Sequence, residues 1–144
     1  MGVMPWSPLA GGFLSGKYCQ GDTGNSGRLN GPDPFGNSKF TEQNWAILDV
    51  LRSVADGLGR PVAETTLAWV MARPGVASTL IGASKLSQLE SNIAATSISL
   101  SREQLDRLNT ASAPIPTFST GLTSLGIRQI LFGGHKVSGW NDLP

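Results

Sequence analysis

The stretch Trp6-Ser7-Pro8-Leu9-Ala10-Gly11-Gly12-Phe13-Leu14-Ser15-Gly16-Lys17-Tyr18 decides how the chain is read. It follows a short apolar run at residues 2–6 that Pro5 and Pro8 stop, so a strand, Gly2–Pro5, gives way here to a loop. Glycines at 11, 12 and 16 let backbone N–H groups approach an anion closely, and Lys17 adds a full positive charge. On composition two readings stand: a phosphate site, or an ordinary glycine-rich loop. A Walker A loop is excluded, because the Ser or Thr required after the lysine is Tyr18.

Downstream, residues 21–37 are almost all Gly, Asn, Asp, Ser and Pro and predict a long mobile loop. Trp45, Leu48, Leu51, Ala55 and Leu58 then recur at three- and four-residue intervals, with Thr41 as N-cap and Gly57 and Gly59 as stops, which predicts an amphipathic helix. Pro61 suits the first turn of a second helix that carries Trp69 and Val70. Val76–Ile81, partly β-branched and bounded by glycines, predicts a strand of a buried parallel sheet.

That strand runs into Ile81-Gly82-Ala83-Ser84-Lys85-Leu86-Ser87-Gln88-Leu89-Glu90-Ser91-Asn92, read as a helix N-terminus with Leu86, Leu89 and Ile93 facing inward. Free N–H groups and the positive end of the dipole suit a phosphate there, while the residues alone favour Ser84 as a plain N-cap. Gln88 and Asn92 lie one turn apart, placed to read a base edge or to face water. A last helix opens on a capping box, Ser101 to Gln104, with Leu100 and Leu105 as a hydrophobic staple. In the tail, Gly133-Gly134 can turn the chain between residues 127–132 and 135–137.

Composition narrows the function classes. A charged fraction of 15% against 40% hydrophobic describes a folded protein, and a net charge of +1 with scattered Lys and Arg offers no basic stripe for nucleic acid. Cys19 is the only cysteine, so a disulfide within the chain and a cysteine zinc site are both excluded. With no apolar run of membrane-spanning length and no charged n-region before residue 6, a cytoplasmic protein is expected. Strand, helices, strand, helix is an α/β order with parallel strands.

The two glycine-bearing stretches together resemble the cofactor-binding signatures of the aldo-keto reductase superfamily. The runs are Ser-Pro-Leu-Ala-x-Gly-x-Leu-x-Gly-Lys at 7–17 and Gly-Ala-Ser-x-x-x-Gln-Leu-x-x-Asn at 82–92, separated by a helix ending in Leu67-Ala68-Trp69. The likeness runs from Trp6 to about Asn109, reaches the tail at 132–140, and is closest to the branch of general-stress-type bacterial reductases and potassium-channel β subunits. It implies an α/β fold, a partial (β/α)8 TIM barrel: about the last two βα units with a C-terminal helix over residues 1–112, then a tail over 113–144. It also implies NADP(H) as cofactor and a carbonyl reductase's hydride transfer.

By that resemblance Trp6, Ser7, Pro8, Leu9, Ala10, Gly11 and Lys17 would hold the nicotinamide side and the pyrophosphate, with Arg28 flanking the adenosine. Gly82, Ser84, Lys85, Gln88 and Asn92 would hold the 2′-phosphate and adenine. The family often has an acidic residue immediately before that Asn, where this chain has Ser91. The family's catalytic Asp, Tyr, Lys and His lie upstream of the first motif and have no counterpart here; Tyr18 belongs to the loop, and His135 reads as a solvent-facing tail residue. The alternatives to a piece of a reductase are a non-catalytic nucleotide-binding or assembly subunit and a truncated relic, and the start Met1-Gly2-Val3-Met4 is compatible with initiation inside a longer reading frame. Two strands cannot close a barrel, so the chain is expected either to belong to a longer product or to self-associate through strand edges and helix faces.

Overall fold

The computed structural model describes residues 2–21, 29, 39–115, 117, 118, 127 and 130–135. The chain forms two compact units, Met1–Ser112 and Ala113–Pro144. Among the described residues four α-helices lie in the first, α1 (Glu42–Leu58), α2 (Val62–Met71), α3 (Leu86–Ala94) and α4 (Arg102–Ala111), preceded by a 3₁₀-like segment, Ala10–Ser15, that is broken by left-handed Gly11 and Gly12.

Local chemistry sets the helix ends. The Thr41 hydroxyl accepts the Asn44 N–H at 3.1 Å and starts α1. Gly59, at φ 61°, closes it; the helix runs straight through Gly57, whose ordinary backbone makes it no stop. Pro61 stands immediately before α2. At α4 the Ser101 Oγ accepts the Gln104 N–H at 3.2 Å while Gln104 Oε1 accepts the Ser101 N–H at 2.8 Å, and Leu100 and Leu105 both pack onto the core. Asn109 Oδ1 accepts from Trp69 Nε1 at 3.0 Å and from Arg73, which ties α4 to α2.

The core is built around the glycine-rich loop itself. Phe13 and Tyr18 sink into the same cluster as Trp45, Leu48, Leu51, Val54, Trp69 and Leu108. Phe13 meets Trp45 edge-on with centroids 4.9 Å apart, Tyr18 meets Phe40 edge-on at 5.4 Å, and Phe40 stacks on Trp45 at 5.9 Å. A loop with an aromatic peg at either end cannot drift from α1 without emptying the core.

Two expected elements differ. Gly2–Pro5 and Val76–Ile81 run parallel, with the Val3 N–H on the Gly75 carbonyl at 2.8 Å, the Ala77 N–H on Val3 at 2.9 Å and the Leu80 N–H on Pro5 at 3.3 Å, yet only the Val3–Val76 bridge has ladder geometry. Among the described residues there is therefore no regular strand. Parallel pairing is slanted and weak per residue, and it becomes regular only when flanking strands and helices cover both faces. The second difference is α3, where Leu86, Leu89 and Ile93 are exposed rather than inward. The helix meets α2 instead through the face of Ser91 and the buried Ala95 that follows it.

Residues 22–28 and 30–38 of the expected loop lie outside the described residues. Around Gly133 and Gly134, Ile130 and Leu131 are helical and the His135 N–H bonds the Phe132 carbonyl at 3.0 Å, so the glycines turn the chain at the end of a helix. No helix among the described residues is long and apolar enough to cross a membrane.

Phe13→Ala is expected to cost about 3–5 kcal/mol in equilibrium urea unfolding, the usual range for truncating a fully buried phenylalanine. Phe118→Ala, at a side chain 85% exposed, should stay within about 0.5 kcal/mol of the parent. A Phe13→Ala loss as small as that of Phe118→Ala would show that the loop is not anchored by its aromatic residue.

Candidate cofactor-binding site

The parallel alignment of residues 2–5 with 76–80 brings two segments to one end of the pair. Trp6 leaves the first just after the Pro5 carbonyl, and Gly82 leaves the second just after the Leu80 N–H that bonds it. The two motifs singled out in the sequence thus start side by side, at the C-terminal ends where parallel α/β folds bind ligands.

The first motif is a tight left-handed turn. Ser7, Ala10, Gly11, Gly12 and Gly16 all have positive φ. Ser7 organises it, its carbonyl accepting the Ala10 N–H at 2.8 Å and its hydroxyl the Gly11 N–H at 3.2 Å, while the Leu9 carbonyl accepts Gly12 at 2.8 Å and Leu14 at 3.1 Å. Several loop amides are thus engaged within the loop. An added Cβ would meet only movable side-chain ends, Leu29 Cδ2 at 2.8 Å at Gly11 and the Lys17 Cε and Nζ at 3.2 Å at Gly12, so the positive φ is what calls for glycine there. The Lys17 stem therefore folds back along the loop, and its ammonium stands 4.9 Å from the Tyr18 ring centroid.

Residues from the helices fix the end of this loop. Thr66 Oγ1 lies 2.8 Å from both the Leu14 and the Val62 carbonyls and shares its one proton between them. Arg52 donates through Nη2 to the Tyr18 carbonyl at 2.7 Å and the Gly16 carbonyl at 3.3 Å, with Nη1 on Asp49 at 3.3 Å. Neither residue was legible as part of the site, since each reaches it across 34 to 52 positions of sequence.

At the second motif Lys85, not Ser84, occupies the N-cap position of α3, without a side-chain bond. Ser84 instead donates its N–H at 2.9 Å and its hydroxyl at 3.2 Å to Gln88 Oε1, so Gln88 holds the residue that leads into the helix. Gly82, Ser84, Lys85 and Gln88 are exposed, and the first turn holds no acidic residue. Asn92, half-buried, lines a groove of about 350 Å³ with Val76, Thr79, Ile81 and Ile93. Ser91 donates at 2.8 Å to Glu64 Oε1, so a carboxylate does stand beside this position, contributed by α2. The other Glu64 oxygen is buried without a hydrogen bond, with Arg60 3.7 Å away.

Of the residues expected to hold the cofactor, Trp6, Ser7, Pro8, Leu9, Ala10, Gly11 and Lys17 form the first segment and Gly82, Ser84, Lys85, Gln88 and Asn92 the second; Arg28 lies outside the described residues. Lys17 and Lys85 are exposed cations with no ion pair among the described residues. That charge, with the absence of any acidic side chain between residues 6 and 18 or 82 and 89, suits a phosphate-bearing ligand. Tyr18 is 3% exposed and its hydroxyl accepts the Leu29 N–H at 3.4 Å, which makes it a core residue. His135 is exposed.

The chain belongs to the aldo/keto reductase family, whose model matches residues 1–113. It is 35% identical over 119 residues to an uncharacterized oxidoreductase of Mycobacterium tuberculosis, covering 83% of this chain and 36% of that protein. Over 100 residues it is 32% identical to a probable voltage-gated potassium channel subunit beta of Arabidopsis thaliana, covering 68% of this chain and 30% of the relative. Over 116 residues it is 32% identical to the L-glyceraldehyde 3-phosphate reductase of Escherichia coli, covering 76% and 33%. The chain spans about a third of the length of these relatives.

Ser91→Ala removes the donor from a buried carboxylate and is expected to lower stability by about 1–3 kcal/mol in urea unfolding. Glu64→Gln combined with Ser91→Ala should lose less than the two separate changes summed, because the pair interacts directly. Additive losses would show that the two side chains do not depend on one another.

Proposed function

We propose that this chain is the NADP(H)-binding C-terminal part of an aldo-keto reductase barrel, about its last two βα units, serving an enzyme that reduces carbonyl groups. The observation that carries the reading is that the two segments bearing the exposed lysines Lys17 and Lys85 leave one parallel pair at the same end. Lys17 would attract the pyrophosphate beside the Ser7–Gly12 turn. Ser84 and Lys85 would meet the 2′-phosphate at the start of α3, with Gln88 and Asn92 along the same helix for the adenine. Bound nicotinamide supplies the hydride, and the protein's part is to hold it and exclude water.

A second reading, nucleotide binding without catalysis by this chain, is favoured by Tyr18. The only tyrosine is in the core, so its phenol does not serve as a proton donor to a substrate oxygen. In both readings the exposed apolar side chains Val3, Met4, Leu80, Ile81, Leu86, Leu89 and Ile93 call for a cover, which the remainder of a barrel or further copies of the chain would supply. The single cysteine fits the cytoplasm as the compartment.

Titration followed by tryptophan fluorescence, with Trp6 67% exposed beside the first motif, should give tighter binding of NADPH than of NADH. A charge-assisted contact to the 2′-phosphate contributes roughly 1.5–3 kcal/mol, a factor of at least about ten in Kd. Ser84→Ala with Lys85→Ala should abolish the preference, and equal affinities in the parent chain would contradict the assignment. Sedimentation velocity at micromolar concentration is expected to show a dimer or larger; a monomer across the whole range would remove self-association.

A further inference from the structure

We propose that Arg52 is a positioning residue for Lys17, holding the ammonium over the glycine-rich turn so that it meets an anionic ligand already in place. The inference rests on the cofactor-binding reading above and deepens it. One guanidinium nitrogen, Arg52 Nη2, bonds the carbonyls of Gly16 and Tyr18, at 3.3 and 2.7 Å, and these belong to the residues that flank Lys17. Asp49 holds the other nitrogen at 3.3 Å from one turn earlier on α1, which fixes the plane of the fork. Bridging two acceptors from a rigid planar group is a task a lysine's point charge does poorly.

The backbone pinned in this way spans two fixed points, Phe13 and Tyr18 in the core, and the clamp sets the path between them. Gly16 sits at φ 82°, a conformation glycine adopts and leaves easily, and Lys17 is exposed. Without the clamp, rotation about Gly16 would swing the Lys17 Cα and carry its side chain off the turn. With it, the lysine stem lies against Gly12 and its Nζ stays 4.9 Å from the Tyr18 ring, itself locked in the core. The long side chain thus loses freedom during folding rather than during binding, and preorganisation of this kind appears directly as affinity. Arg52 touches no ligand in this scheme; it acts through Lys17.

The test is a double-mutant cycle on the full chain, with Arg52→Gln, Lys17→Ala and the combined variant, each titrated with NADPH and with adenosine 2′-monophosphate. The monophosphate probes the α3 end alone, because it carries the adenine and 2′-phosphate but neither a 5′-phosphate nor nicotinamide. Arg52→Gln is expected to weaken NADPH about tenfold, to leave the monophosphate within twofold, and to have no further effect once Lys17 is alanine. An Arg52→Gln variant that binds NADPH as the parent does would overturn the proposal and leave the cofactor reading standing. Equal weakening of both ligands, or a full Arg52 effect in the Lys17→Ala background, would also overturn it, since the clamp would then serve the fold at large. A parent chain that binds neither ligand overturns the cofactor reading, and this proposal with it.

Discussion

The burial of Phe13 and Tyr18 is the constraint on which the rest of the structure depends. Between and before them lies a turn with Ser7 and Ala10 in left-handed conformations, each costing roughly 1–2 kcal/mol for a residue with a side chain, and with glycines that lose much freedom when ordered. Such a turn does not hold itself. It is held because its two aromatic pegs complete a cluster with Phe40, Trp45 and the inner face of α1, and because α1 and α2 reach back with Arg52 and Thr66 to its carbonyls. The core and the first half of the site are one object.

The second half is held differently. α3 leans on α2 through the Ser91–Glu64 bond and Ala95, and it exposes Leu86, Leu89 and Ile93. The residue before its N-cap, Ser84, is held by its own Gln88 rather than by a neighbouring element. A ligand reaching across both segments would meet a fixed loop at one end and a lightly supported helix at the other, so ordering of α3 would fall largely within the binding step.

What the sequence made legible was what is local. The Thr41 cap, the capping box of Ser101 and Gln104 and the 3.6-residue rhythm of α1 are decided within a few residues, and each formed as expected. The family was legible because its two motifs are short, glycine-rich and paired. What depends on distant partners was not. The strands at 2–5 and 76–81 lack a ladder because regular parallel pairing needs covered faces, and the apolar stripe of α3 could not reveal that a serine bonded to a buried glutamate would choose its packing face. Glu64, Thr66 and Arg52 carry no motif and joined the site only through the fold.

Hydrogen exchange measured with and without NADPH bears most directly on the central claim, that one ligand is held jointly by the loop after residue 6 and the helix start after residue 82. Joint binding predicts slowed exchange in both segments, 10–18 and 84–92, with the larger change in α3, whose support in the free chain is weaker. Protection confined to one segment, or lying mainly in 113–144, would contradict it.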